Sequence, residues 1–236
     1  MRNIAAIAKR ELRVYFGLPW AYVVTAVFLV ASGYGFGFRE ETYMDTTLRG
    51  FLGLASFFLL FLAPALTMRF FAKELESGTI ELLLTAPVRD LEVVLGKFLA
   101  SLGILAVMLA LTLYYPLLLL WFGSPDPGPI ASGYLGIFLL GAVFLAAGLF
   151  ASSLTSNQVV AFVLGSGIIL ALWLLGNAAD FAEGVAGSIL RYASISSHFP
   201  DFGRGLLDTR GMVYYATLVV LFLFLTLRSL EMRRWR

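Results

Sequence analysis

Cysteine is absent from the 236 residues, and histidine occurs once, as His198. The first absence removes disulfides, iron–sulfur clusters and thiolate zinc sites, and leaves the redox compartment open. The second removes any multi-histidine metal centre. Charge is the next scarcity. A chain with 14% Asp, Glu, Lys and Arg against 60% hydrophobic and 15% aromatic residues cannot cover itself with a water-facing surface. The charges are also withheld from long stretches: none occurs in residues 19–37, 50–68, 98–122, 133–154, 158–176 or 211–227, together about half of the chain.

A hydrocarbon core about 30 Å thick takes about 20 helical residues, so each of these stretches can span it as a helix. Membrane β-strands would alternate apolar and polar residues, and the run FFLLFL at 57–62 does not. A charge-free stretch is sometimes a buried core helix of a soluble protein, but six of spanning length in so short a chain argue against that. The expected fold class is therefore an all-α integral membrane protein with six transmembrane helices, folded as a single membrane domain over 1–236. The start of the chain does not read as a signal peptide, because residues 1–17 precede the first apolar run and no clean small-residue cleavage site follows it.

Six spans put both termini on one side. Twelve of the 17 basic residues flank the spans on that side and five on the other, while the acidic residues divide seven and eight. The excess of Lys and Arg marks the cytoplasmic flank, so both termini and the segment between spans two and three are expected in the cytoplasm, with the chain in the cytoplasmic (inner) membrane. The formal net charge of +2 conceals this asymmetry.

Residues 1–17 read as a basic interfacial helix: Ile4, Ile7, Ala8, Leu12, Val14, Tyr15 and Phe16 share one arc, and Arg2, Lys9, Arg10 and Arg13 the other. Glu11 falls inside the apolar arc. Either it snorkels or pairs locally with an arginine, or this face meets protein and Glu11 has a basic partner there. The GxxxG spacing from Gly33 to Gly37 permits close helix approach, although small residues are common in membrane helices generally. An acidic loop from Arg39 to Arg49 follows, and Pro64 is expected to kink or soften span two.

The segment 72–90 is expected to project into the cytoplasm. Gly78 breaks the chain, Thr79 can cap a new helix, Glu81 favours its first turn and Pro87 ends it, leaving a short helix at 79–85; Asp90 can then cap the next. Leu82, Leu83 and Leu84 are consecutive and cannot all face back into their own domain. They pack under the membrane or meet another protein, and the flanking acidic residues favour the second. Span three contains Pro116 and ends in a rigid turn at 124–129 (SPDPGP), and SSLTSNQ at 152–158 forms a tight uncharged turn able to satisfy helix ends. Residues 177–210 are too apolar for a plain loop: Phe181, Val185, Ile189 and Tyr192 share a face, which predicts an amphipathic, re-entrant extracytoplasmic segment followed by a turn at 196–200. His198 reads most simply as a polar interfacial residue. The tail from Arg228 is basic, with Trp235 as an interfacial anchor.

Catalytic and energy-coupling signatures are missing. The sequence contains no GxxxxGK[ST], HExxH or GxSxG, and no charge-free stretch holds the carboxylate or histidine that ion-driven transporters bury at about 2.5 to 3.5 kcal/mol each. The chain is thus not expected to be an enzyme by itself, and its driving force is expected from outside.

The segment ELESGTIELLLTAP at 74–87, followed by Gly96 and Lys97, resembles the E-x-E-x-G-T-x-E-x-L-L-x-x-P coupling helix of ABC-2 type transporter permeases. SSLTSNQ at 152–158 and SHFPDFGRGLLD at 197–208 further resemble the gliding-motility (Gld) type, with a departure at Thr209, Arg210 and Gly211. The resemblance implies a half-transporter: two permeases, identical or paired with a sister subunit, on two copies of a separately encoded ATPase that binds ATP and magnesium, with no cofactor or nucleic acid bound by this chain. It implies coupling through Glu74, Glu76, Gly78, Thr79, Glu81, Leu82, Leu83 and Pro87, with a second contact around Arg10, Glu11 and Arg13. Phe57, Phe58, Phe61, Phe162 and Leu170 would line a path for lipid-like or amphipathic cargo, or else simply pack between helices. The alternative is a non-transporting subunit that transmits ATPase-driven motion to an auxiliary periplasmic partner.

Overall fold

The computed structural model describes residues 2–37, 48–79, 89–123, 125–181 and 184–234. Glu81, Leu82, Leu83, Leu84 and Pro87, most of the loop between spans one and two, and Trp235 lie outside the described residues, and so do the expectations placed on them. Among the described residues the fold is all helix: α1 (Arg2–Phe16), α2 (Pro19–Gly37), α3 (Arg49–Glu76), α4 (Asp90–Thr112), α5 (Tyr114–Phe122), α6 (Pro127–Leu154), α7 (Gln158–Ala179), α8 (Gly184–Ala193), a 3₁₀ turn (Ser196–His198), α9 (Phe199–Gly203) and α10 (Thr209–Arg234). Six spans are long and apolar enough to cross a bilayer, α4 and α5 together forming the third.

The helices outrun the charge-free stretches that predict them. A helix needs no change of geometry to leave the hydrocarbon, so α3 continues past Met68 to Glu76, and span three begins at Asp90. The proline-rich turn before α6 is shorter than expected for a matching reason. Asp126 Oδ1 accepts from Gly128 N–H at 2.9 Å, and Pro127 sits at the first helical position, where a missing N–H costs nothing.

Pro116 accounts for the break in span three. Its ring nitrogen cannot donate to the Thr112 carbonyl, and the helix turns tightly at Leu113, whose N–H bonds the Ala110 carbonyl instead. The Tyr134 hydroxyl on α6 donates to the freed Thr112 carbonyl at 2.9 Å, closing the gap with a side chain as a dry environment requires. Pro64, by contrast, lies within an unbroken α3.

α6 is the central post. Its spanning window is 78% buried, against 28% for α2 and 22% for α7. Lipid tails are as apolar as leucine, so helices associate here through close packing, and α6 supplies glycines where neighbours press in. Leu52 of α3 fills the space over Gly133, Leu105 of α4 that over Gly141, and Pro64 and Thr67 of α3 that over Gly148. Gly33, within the GxxxG of α2, is covered inside this chain by the Tyr115 ring.

One face carries both chain ends, joined by polar ties. Ser152 Oγ accepts from the N–H groups of Phe71 and Ala72 at 3.1 Å and donates to the Met68 carbonyl at 2.9 Å, fastening α6 to α3. Ser229 of α10 donates to the Ser153 carbonyl at 3.3 Å. Asn157 Oδ1 accepts from Val159 N–H at 2.9 Å and Val160 N–H at 3.3 Å, capping α7. Asn157→Ala is therefore expected to lower stability by about 0.5–2 kcal/mol, read as a drop in the thermal midpoint of the purified protein.

On the opposite face, α8 presents Val185, Ile189 and Tyr192 outward, with Phe181 also exposed just before it. The chain then turns in: Phe202 is fully buried, its carbonyl accepts from Ser132 Oγ at 2.8 Å, and Tyr214 and Tyr215 hydroxyls donate to the Ala193 and Ile195 carbonyls at 2.6 and 3.1 Å. His198 stacks on Tyr214 at 4.3 Å and places Nδ1 3.2 Å from the Ser194 carbonyl.

Candidate functional site on the face of the chain ends

α1 lies against α4, with Ile4, Ile7, Leu12 and Tyr15 turned inward and Val14 and Phe16 exposed. Gly96 and Gly103, two helical turns apart, form the seat: Ile7 presses on Gly96 and Leu12 covers Gly103. Asn3 Nδ2 adds a hydrogen bond to Glu92 Oε2 at 3.2 Å. Glu11 sits on this inward face, and its partner is Lys97, beside Gly96.

Lys97 is 1% exposed, among the most buried large side chains in the protein. Its ammonium donates to Glu11 Oε1 at 3.1 Å, Glu74 Oε1 at 2.7 Å and the Phe70 carbonyl at 2.9 Å, which uses all three protons. The Phe70 and Phe71 rings stand 5.7 and 5.2 Å from Nζ. A buried ammonium without such partners would cost several kcal/mol, and a buried ion pair contributes little net stability compared with an apolar filling. Its effect is geometric. One atom holds the end of α3, the start of α4 and the middle of α1 at fixed separations.

Around this knot lies a cavity of about 150 Å3, lined by Arg10, Tyr15, Arg69, Lys73 and Glu74 together with Val14, Leu18 and Leu66. The Arg69 guanidinium lies over the Trp20 ring at 5.2 Å, and Trp20 Nε1 donates to the Ala65 carbonyl at 3.2 Å. Burial pushes the Tyr15 hydroxyl well above its ordinary pKa, with Arg69 opposing the shift, so it remains a neutral phenol.

Glu74, Glu76, Gly78 and Thr79 fall at the end of α3. Glu74 is taken up by Lys97, and Glu76 Oε2 accepts from Gln158 Nε2 at 3.2 Å at the start of α7. Gly78 adopts φ of 68°, a conformation glycine enters without strain, and ends the helix. The Thr79 hydroxyl turns back to Ser77 Oγ at 2.8 Å. Arg10 borders the cavity, and Arg13 is exposed. Phe57, Phe58 and Phe61 form an edge-to-face cluster on α3, with Phe57 and Phe61 exposed; Phe162 and Leu170 lie on α7, which packs beside α3.

Lys97 is the residue that sequence reasoning missed as a site. The available signal was a lone cation at the lip of the longest charge-free stretch, with a carboxylate stranded in the apolar arc of α1 and no other obvious partner for it.

Residues 21–200 match the family model described as ABC-2 family transporter protein, from α2 into α9. No curated protein matches the chain. A match over about three quarters of the sequence, covering five of the six apolar spans, assigns the family: the chain belongs to the ABC-2 family of transporter proteins and is a multi-pass membrane subunit of an ABC transporter.

Proposed function

We propose that the chain is the permease half of an exporter for lipid-like or amphipathic cargo, of the gliding-motility type, moved by a separate ATPase that docks on segment 72–90. Two permeases would stand on two ATPases, with the termini in the cytoplasm and ATP and magnesium bound by the ATPase partner. The observation that carries this reading is the Lys97 knot. Segment 80–88 leaves from the end of α3 and returns at the start of α4, and Glu74 and Lys97 tie those two ends together at 2.7 Å. A push on the segment then moves α3, α4 and α1 as one body instead of bending the loop. Glu76, Gly78, Thr79, Glu81, Leu82, Leu83 and Pro87 would contact the ATPase, Arg10 and Arg13 would add a second contact, and Glu11 and Glu74 would position the assembly from inside. The exposed rings of Phe57 and Phe61 beside α7 supply an apolar wall suited to amphipathic cargo.

The test is Glu81→Arg in the complex with its ATPase, reconstituted in liposomes. The expected result is normal insertion with loss of transport-coupled stimulation of ATP hydrolysis; unchanged stimulation rejects the docking. A subunit that only transmits motion to a periplasmic partner would copurify with the ATPase as well, but no amphipathic compound would stimulate hydrolysis and cross the bilayer.

A further inference from the structure

We infer that α3 bends at residues 64–72 as the transporter works, and that the Ser152 hydroxyl of α6 is the positioning group that keeps the helix bonded through the bend. The inference rests on the reading that an ATPase drives segment 72–90. Between its outer part and that segment, α3 must yield somewhere. The outer part is packed on α6, where Leu52 covers Gly133, while Phe70 and Glu74 belong to the Lys97 knot.

The weak bonds of α3 lie between these two anchors. Pro64 has no N–H, so the Leu60 carbonyl lacks its helical donor. The Thr67 hydroxyl donates back to the Ala63 carbonyl at 2.9 Å, an arrangement that favours bending. Just beyond, Ser152 Oγ stands 2.9 Å from the Met68 carbonyl oxygen and 3.1 Å from the Ala72 nitrogen, the acceptor and donor of one and the same helical bond. It also accepts from Phe71 N–H at 3.1 Å, which uses its proton and both lone pairs. Ser152 is fully buried. A plain fastener needs only one group on its neighbour. A hydroxyl that bonds both ends of a single helical turn does more: when the turn opens, Met68 and Ala72 keep a partner in a dry environment where each would otherwise go unpaired. Gly148, one turn before Ser152 on α6, supplies the fulcrum, since its missing Cβ lets Pro64 and Thr67 close on α6.

The experiment is electron cryomicroscopy of the full complex with its ATPase, nucleotide-free and with ATP held on a hydrolysis-deficient ATPase, joined to hydrolysis assays of two variants in liposomes. Between the two states α3 is expected to bend by about 20° or more at 64–72, with Ser152 Oγ keeping the Ala72 N–H as the Met68 carbonyl draws away. Pro64→Ala restores the missing helical donor and is expected to hold or raise the thermal midpoint while lowering transport-coupled stimulation of ATP hydrolysis about tenfold. Ser152→Ala is expected to lower stimulation by a similar factor with only a small loss of thermal midpoint, because the straight helix pairs Met68 with Ala72 directly. An α3 of one curvature in both states, with the ATPase seated on segment 72–90, would overturn the hinge alone; an ATPase seated elsewhere would reject the docking and the hinge together. Full stimulation in Pro64→Ala, or a Ser152→Ala protein that loses thermal midpoint and keeps stimulation, would make Ser152 a fastener and overturn the inference as well.

Discussion

Lys97→Met is expected to lower the stability of the protein by about 3–5 kcal/mol, because it strands Glu11 and Glu74 beside one another with no cation between them. Methionine fills nearly the same space, so the loss is electrostatic and not a cavity effect. The three side chains were assembled as a set, and this makes the loss reversible by design. Combining Lys97→Met with Glu11→Gln and Glu74→Gln removes all three charges and is expected to recover most of the thermal midpoint. Single Glu11→Gln or Glu74→Gln leaves Lys97 one carboxylate and its bond to the Phe70 carbonyl, and is expected to cost less than Lys97→Met. Thermal unfolding in detergent reads all of these; a Lys97→Met protein as stable as wild type would show that the knot holds nothing.

The second large effect is expected at Gly148. A Cβ added there would meet Thr67 Oγ1 and come within 3.2 Å of Pro64 Cα. Thr67 cannot swing aside cheaply, because it is fully buried and donates to the Ala63 carbonyl at 2.9 Å, and Pro64 presents rigid backbone. Gly165 of α7 closes the seam from the other side, with Pro64 Cβ 3.2 Å from the position of its own missing Cβ. Gly148→Ala is expected to cost about 1–3 kcal/mol and Gly148→Val to abolish recovery of monodisperse protein. The control is Gly167→Ala on α7, where a Cβ meets nothing within 4 Å and the thermal midpoint is expected to hold. Wild-type behaviour of Gly148→Val would contradict the packing of α3, α6 and α7 described here.

The spans were legible in the sequence because exclusion of charge from the hydrocarbon is a one-dimensional signal, readable without any tertiary contact. Their ends were not, because helix geometry does not change where the first charge appears: α3 and α10 continue past the expected limits at 68 and 227 to Glu76 and Arg234. Pro116 was visible, but its consequence depended on Tyr134, which the sequence does not place beside it. The cost of Glu11 in an apolar arc was readable, and only the fold supplies Lys97, 86 positions away, as its partner. The same contact explains why Glu74, which the resemblance implies takes part in coupling, turns inward: an acid at a helix end looks exposed until the cation under it is known. Gly33 shows the same limit, since its spacing permitted close helix approach and only the fold shows that Tyr115 of the same chain makes it.

If the knot transmits motion, stability and coupling must separate. The most direct test compares the wild-type complex with the triple variant Lys97→Met, Glu11→Gln, Glu74→Gln, each copurified with the ATPase and reconstituted in liposomes, by measuring cargo-stimulated ATP hydrolysis. The expected result is equal folding and equal ATPase binding, with stimulation retained by the wild type and lost in the triple variant, whose α1, α3 and α4 no longer move together. Full stimulation in the triple variant would contradict the account.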